Sequence, residues 1–191
     1  TFSGSDITNI EVLSSHETYI GMIYDDKYLT FFIGLPCERS LTTNFSPFFI
    51  FRFSSNNNNL TLINCVLANS STGAENNGGA IYSVGKLTII NTTIANCSAR
   101  EGGAIFTQDS LAKGNTIKLV NSIIENNIAS GNDNLGGGAI FAQQITEFTI
   151  ENTSFIKNEA GTTASGGAIF ISHSSADVKI TDSEFIANHA N

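Results

Sequence analysis

One pentapeptide, varied only at its last aromatic, occurs four times in this chain of 191 residues: Gly78-Gly79-Ala80-Ile81-Tyr82, Gly102-Gly103-Ala104-Ile105-Phe106, Gly137-Gly138-Ala139-Ile140-Phe141 and Gly166-Gly167-Ala168-Ile169-Phe170. A second phrase lies between the copies, starting at residues 60, 87, 117, 148 and 178, as in LTIINTTIANC from Leu87 and FTIENTSFIKN from Phe148. A nearly constant period with insertions confined to polar stretches describes a solenoid of stacked units. Helix is a poor reading, because the units are short, hold Gly pairs, and favour Ile, Thr, Val and Phe. The expected class is all-β, a parallel β-helix of about five to six coils, each of roughly 27–31 residues.

Aligning the units gives columns. Leu60, Leu87, Ile117, Phe148 and Val178 form the first, and Leu62, Ile89, Leu119, Ile150 and Ile180 lie two residues on. Between them fall Thr61, Thr88, Lys118, Thr149 and Lys179. Apolar and polar columns alternate with period two, as a strand with one buried face requires. Leu67, Ile94, Ile124, Phe155 and Phe185 make a third apolar column. Asn64, Asn91, Asn121, Asn152 and Asp182 read as turn residues whose side chains bond up the ladder, because Asn tolerates unusual turn dihedrals. The Gly pairs read as sharp corners and close approaches between coils. They lack the Lys-Ser/Thr that a phosphate-cradling loop needs.

Residues 1–59 lack the Gly-Gly-Ala phrase. Gly21-Met22-Ile23-Tyr24 resembles a worn copy, Leu29-Thr30-Phe31 lies one period before Leu60, and Ile50 lies one period before Ile81. The expected division is an N-terminal cap with two degenerate coils over residues 1–59, and the repeat β-helix over 60–191. At the other end, Asn191 falls where the next Gly-Gly-Ala phrase is due, which reads as a piece of a longer solenoid.

The net charge of −8, with nine scattered Lys and Arg, argues against a nucleic-acid surface, which needs a basic face. No apolar run reaches the roughly 18 residues of a membrane-spanning helix, so no direct membrane insertion is expected. Cys37, Cys65 and Cys97 have no CxxC spacing, which disfavours a zinc or thioredoxin-like site. Cys65 and Cys97 sit in columns five strand positions apart, roughly 16 Å. That is beyond the roughly 7 Å Cα separation a disulfide tolerates. Cys37 is unplaced and is open to an intermolecular link. His16, His173 and His189 have no partners at ligand spacing, so neither a metal nor another cofactor is expected.

The phrases resemble the repeats of the polymorphic membrane protein family of chlamydiae, marked by GGA followed by Ile, Leu or Val, and by FxxN. The first motif is matched at Gly78–Ile81, Gly102–Ile105, Gly137–Ile140 and Gly166–Ile169. The second is matched at Phe155–Asn158 and Phe185–Asn188, with Ile for Phe at Ile124–Asn127. The resemblance covers about residues 60–191. It implies a right-handed, pectate-lyase-like β-helix, an autotransporter passenger with roles in adhesion and immune exposure. Similar repeats occur in surface proteins of some protists, and the Asn- and Ile-rich composition suits such a source equally well. An extracellular or cell-surface location follows from either.

In a eukaryotic secreted protein, the Asn-x-Ser/Thr sequons at Asn44, Asn59, Asn69 and Asn96 are candidate glycosylation sites, whereas Asn91 and Asn152 belong to the ladder. The column Tyr82, Phe106, Phe141 and Phe170 is the candidate partner-binding stripe. The Ile before each aromatic is assigned to the core, so the aromatic points outward. An outward apolar stripe suits sugars or a partner protein, unless it lies beneath the long loops. Catalysis needs convergent carboxylates, and Glu125, Glu151, Asp182 and Glu184 fall in different columns, while Asp25-Asp26 is the only adjacent pair. The expected function is therefore non-enzymatic. Adhesin-type binding to a host or neighbouring surface protein or glycan uses the variable loops at residues 73–77, 109–115, 129–135 and 161–165. A structural subunit packing against further β-helix coils is the alternative, and a polysaccharide-active enzyme the third.

Overall fold

The computed structural model describes residues 9–12, 19–25, 28–34, 51–108, 114–131, 136–173 and 175–191, with residues before 61 described by their backbone alone. The described residues form a parallel β-helix without α-helix. A wide sheet of nine strands forms one wall, and sheets of five and four strands complete the turn. The five-stranded sheet counts the layers: Val66–Ala68, Thr93–Ala95, Ile123–Glu125, Ser154–Ile156 and Glu184–Ile186. Five layers enclose about four turns, slightly fewer coils than the repeats suggested.

Register follows the repeat columns residue for residue. Leu87 pairs with Ile117, Ile117 with Phe148, and Phe148 with Val178, all parallel. In the second layer the wide sheet is one long strand, Ile81–Ile90. In the next layers it divides, into Ile105–Gln108 with Asn115–Val120, and Ile140–Gln143 with Ile145–Glu151. Extra residues at this point of the repeat interrupt the strand, and the register shifts by one residue between Asn115 and Thr116 before the column pairing resumes.

The core runs up the axis. Ile81, Ile105 and Ile140 meet Leu87, Ile117 and Phe148, with Ile94, Ile124 and Phe155 opposite. No single layer encloses these side chains, so burial is supplied by the coils above and below, about 4.8 Å away.

Corners are built from left-handed residues. The first holds Asn64, Asn91, Asn121, Asn152 and Asp182, with φ between 45° and 53°. Asn91 Nδ2 donates to Asn64 Oδ1 at 3.1 Å, and Asn152 Nδ2 to Asn121 Oδ1 at 2.8 Å. A second left-handed column, Asn69, Asn96, Asn126, Lys157 and Ala187, turns the chain three residues after the β-strand begins. At a third corner, Gly102 has φ 59°. Its neighbour Gly103 serves close approach: an added Cβ would fall on the carbonyl oxygen of Gly138 in the next coil and 2.6 Å from the Ile128 backbone.

The N-terminal segment departs from the repeat reading. Tyr19–Asp25 and Tyr28–Gly34 form an antiparallel hairpin, in which Met22 pairs with Phe31 and Ile23 with Thr30. The two segments taken as worn coils therefore pair with each other. The strand Phe51–Ile63 does supply a first layer, but Phe51 rather than Ile50 is the partner of Ile81. Asn9–Val12 then pairs in parallel with Asn59–Leu62 on its outer edge.

Candidate functional site

The aromatic column is a stacked ladder. Tyr82 and Phe106 have ring centroids 5.0 Å apart, Phe106 and Phe141 5.1 Å, and Phe141 and Phe170 5.5 Å. Ile81, Ile105 and Ile140 belong to the axial core, as assigned, and the rings lie outside that cluster. They do not face solvent, however. Phe106 and Phe141 are 2% and 1% exposed, and only the end members Tyr82 and Phe170 are half-buried. The reading of an open apolar stripe is thus corrected for the two central rings: this strand is buried on both faces. Part of the reason is local. A Cβ on Gly78 would come within 3.2 Å of the Phe106 Cβ, so the glycine corner leaves the space the next coil's aromatic fills.

Two further ladders cross the interior. In the first, Thr92, Ser122, Thr153 and Ser183 accept the backbone N–H of Cys65, Thr92, Ser122 and Thr153 at 3.1–3.3 Å. Each hydroxyl donates to the carbonyl two residues before it, as Ser122 does to Val120 at 2.8 Å. In the second, Asn127 Oδ1 accepts from the Cys97 N–H, Asn158 Oδ1 from the Asn127 N–H, and Asn188 Oδ1 from the Asn158 N–H, at 3.0–3.1 Å. The amides donate back to Ile94, Ile124 and Phe155 carbonyls at 3.1, 2.9 and 2.8 Å. The Asn of the FxxN phrase is therefore a buried bracket for corner backbone groups that would otherwise be orphaned. Sequence reading placed these residues in one column but did not assign them this role. The sign was available: an Asn recurring two residues before an Ala, at Ala129, Ala160 and Ala190.

Cys65 and Cys97 are not joined by a disulfide, and each thiol donates to the carbonyl two residues before it, at 3.2 and 3.3 Å. Burial pushes the Cys97 thiol up to about 11, opposed by a backbone hydrogen bond at Ser70. Cys97 is an inert core residue rather than a nucleophile. Cys37 lies outside the described residues.

One acidic pair meets in the register, Glu147 with Asp177, whereas the acidic residues singled out from the sequence do not pair with one another. Glu125 pairs with Ile156, Glu151 with Thr181, and Glu184 with Ser154, whose hydroxyl donates to it at 2.7 Å. Asp25 pairs with Tyr28 at the end of the hairpin, and Asp26 lies outside the described residues. His173 meets Ser172 Oγ at 2.6 Å and Gln143 Nε2 at 3.4 Å. His189 pairs with Glu159 in the four-stranded sheet, and His16 is not among the described residues. Among the described residues no group of three or more His, Cys, Asp or Glu is placed to hold a metal ion.

Loops of unequal length precede the Gly-Gly pairs. Gly73, Ala74, Glu75 and Asn76 are exposed, as are Thr162, Thr163 and Ser165. The first loop is tied at its base: Thr72 Oγ1 donates to the Asn76 carbonyl at 3.1 Å, and Asn77 Nδ2 donates to the buried carboxylate of Glu101 at 3.0 Å. Arg100 stands 3.8 Å from the other Glu101 oxygen. Sequence reading did not single out Glu101. Of the remaining loop segments, residues 109–113 and 132–135 lie outside the described residues.

Asn69 and Asn96 are exposed at the second corner, and the serines completing their sequons, Ser71 and Ser98, are joined by a hydrogen bond of 2.8 Å. Asn59 lies in the strand Phe51–Ile63, paired with Lys86, and Asn44 lies outside the described residues. Comparison with protein-family models, with curated proteins and with solved structures gives no match to this chain.

Proposed function

We propose that this chain is a non-enzymatic extracellular surface repeat domain, a rod whose loops bind a host or neighbouring surface protein or glycan in the manner of an adhesin. One observation carries this reading. The columns at residues 87, 117, 148 and 178 pair in one register, whereas the segments before the Gly-Gly pairs differ in length, and among the described residues 73–76, 162 and 163 lie exposed. A constant frame with variable exposed loops is how binding surfaces are commonly displayed. With Phe106 and Phe141 buried, the loops rather than the aromatic column are the contact surface.

The test is saturable binding of the purified chain to cells or immobilised glycans. Replacement of residues 73–75 and 162–163 by Gly-Ser runs is expected to abolish binding without changing the melting temperature. Undiminished binding by the loop-replaced chain would overturn the reading. The family resemblance proposes two sources for such a domain, a bacterial autotransporter passenger or a protist surface protein. Glycopeptide mass spectrometry on the native protein separates them: N-glycans at Asn69 or Asn96 favour the second, and unmodified asparagines the first. A structural subunit of an extracellular assembly is the second reading, favoured by the exposed Val66, Ile123 and Ile128 on the walls of the rod.

A further inference from the structure

The residue before each Gly-Gly pair changes from layer to layer: Asn77, Glu101, Gly136 and Ser165. The first makes Asn77-Gly78 the single Asn-Gly step of the sequence. That step has a chemistry of its own. Gly carries no Cβ to hinder its nitrogen, which therefore reaches the side-chain carbon of the preceding Asn with the least obstruction. The Gly78 N–H gives up its proton, the nitrogen bonds to Asn77 Cγ, the Cγ–Nδ2 bond breaks, and Nδ2 leaves as ammonia with that proton. Water then opens the cyclic imide at either carbonyl. The product is an aspartate or, where the main chain now runs through the side chain, an isoaspartate.

In the folded chain one residue of the next layer holds both reacting nitrogens. The Gly78 N–H donates to the Glu101 carbonyl at 3.0 Å, and Asn77 Nδ2 donates to the Glu101 carboxylate at 3.0 Å. Gly78 is buried, and Glu101 is 4% exposed. Ring closure requires both bonds to break. The adjoining loop is where they break most readily: residues 73–76 are exposed. Its end is held at the Asn76 carbonyl, which receives Thr72 Oγ1 at 3.1 Å and the Arg100 N–H at 2.7 Å. Exposed loops open locally at a fraction of the cost of global unfolding.

The product does not fit where the amide did. An oxygen replaces the donor that faced Glu101, which sets two carboxylates side by side in a buried site, where like charges repel. Asn77 Oδ1 is already buried with no hydrogen-bond partner, so no donor receives the new charge on that side. Arg100 stands 3.8 Å from the other Glu101 oxygen, and its side chain is 42% exposed. An isoaspartate also lengthens the main chain ahead of Gly78 and moves its N–H off the Glu101 carbonyl.

We infer that Asn77 is a self-modification site, which converts only while the corner at residues 72–78 is open and whose conversion keeps that corner open. Folding sets the rate, and each opening carries a chance of becoming permanent. The inference involves no loop ligand, so it stands or falls separately from the binding reading.

The test incubates the purified chain at neutral pH, native and in guanidinium chloride, and reads the amide-to-acid mass gain at Asn77 by peptide mapping. Conversion is expected to be at least about tenfold faster in denaturant. Native Glu101→Ala, which removes the acceptor of Nδ2, is expected to convert at least about tenfold faster than the parent. Should that variant not fold, Thr72→Val loses only the tie to the Asn76 carbonyl and is expected to convert about threefold faster. Hydrogen exchange at the Gly78 N–H reads the second half of the inference. Asn77→Asp is expected to exchange at least about tenfold faster than Asn77→Ser, whose hydroxyl is the group that Ser165 carries at the same place in the repeat. Equal conversion in native and denatured chain, unchanged conversion in the folded variants, or equal exchange in Asn77→Asp and Asn77→Ser would each overturn the inference.

Discussion

The layer ending in Ala160 and the layer ending in Ala190 are written in almost the same letters and live in different environments. FTIENTSFIKN and VKITDSEFIAN keep the same alternation, the same left-handed corners and the same backbone pairing. In the first, Phe155 is sealed between Phe185 on one side and Ile124 on the other, whereas Phe185 has a neighbour on one side only. The comparison teaches that burial in this molecule belongs to the neighbouring layer rather than to the strand that carries the side chain. A solenoid is stabilised by interfaces between units, so equal sequences at unequal positions have unequal energetic weight.

Substitutions at matched positions sharpen or break this contrast. The largest effect is expected at the Gly-Gly corner. A Cβ on Gly138 would fall on the Gly167 carbonyl oxygen and within 2.7 Å of the Glu159 backbone. Gly138→Ala is expected to cost more than about 4 kcal/mol or to prevent folding. For Gly167→Ala the three nearest atoms are His189 backbone atoms of its own layer at 2.5–2.6 Å, with no next-layer carbonyl among them, so thermal melts should show a smaller though still substantial loss. Equal melting temperatures for the two variants would sink the claim that close approach between layers sets the glycine requirement.

Next comes the stacked pair Phe155 and Phe185, 4.8 Å apart and nearly parallel. Phe155→Ala is expected to destabilise by about 3–5 kcal/mol, as for a fully enclosed aromatic. Phe185→Ala should cost about 1 kcal/mol, in line with its smaller buried area. Urea unfolding of both variants checks the ratio, and comparable costs would mean that the last layer is covered in solution.

The Asn ladder offers a polar version of the same test. Asn158→Ala leaves the Asn127 N–H without its acceptor and takes one donor from the Ile124 carbonyl in a buried site. A loss of about 2–3 kcal/mol is expected, and about 1 kcal/mol for Asn188→Ala at the open end.

A pH-dependent effect, absent below about pH 9, concerns the Cys97 thiol. The Cys97 thiol is raised from 9.0 to about 11 by burial. The unfolded chain therefore loses this proton first, and the folded state loses stability as pH rises from about 9 to about 11. The integrated effect is at most about 2–3 kcal/mol. Chemical denaturation across that range should show the decline in the parent and a flatter profile in Cys97→Ala. An unchanged profile in the variant would show that other groups cause the slope.

Much of the fold was legible because the columns state both period and register. Leu87, Ile117, Phe148 and Val178 align in sequence and pair in space. The aromatic column was less legible, because alternation tells which neighbours share a face and not whether the second face is covered. Ile105, Phe106 and Thr107 are all buried, so the strand gives no polar side to read. The N-terminal segment misled for a different reason. Gly21-Met22-Ile23-Tyr24 has the composition of a coil strand, yet a hairpin uses the same apolar, β-favouring residues, and only the short antiparallel connection distinguishes them. The interior Asn was visible as a motif, but its geometric task depends on a corner carbonyl from the layer below, which no single repeat contains.

The alignment of the bonds between layers has a mechanical consequence. In a parallel β-helix these bonds point along the rod, so a force pulling the two ends apart loads one layer boundary at a time instead of shearing many bonds together. Such a rod should yield stepwise, peeling from an end, and each released turn of 30 residues (Leu87 to Ile117) would pay out about 100 Å of slack.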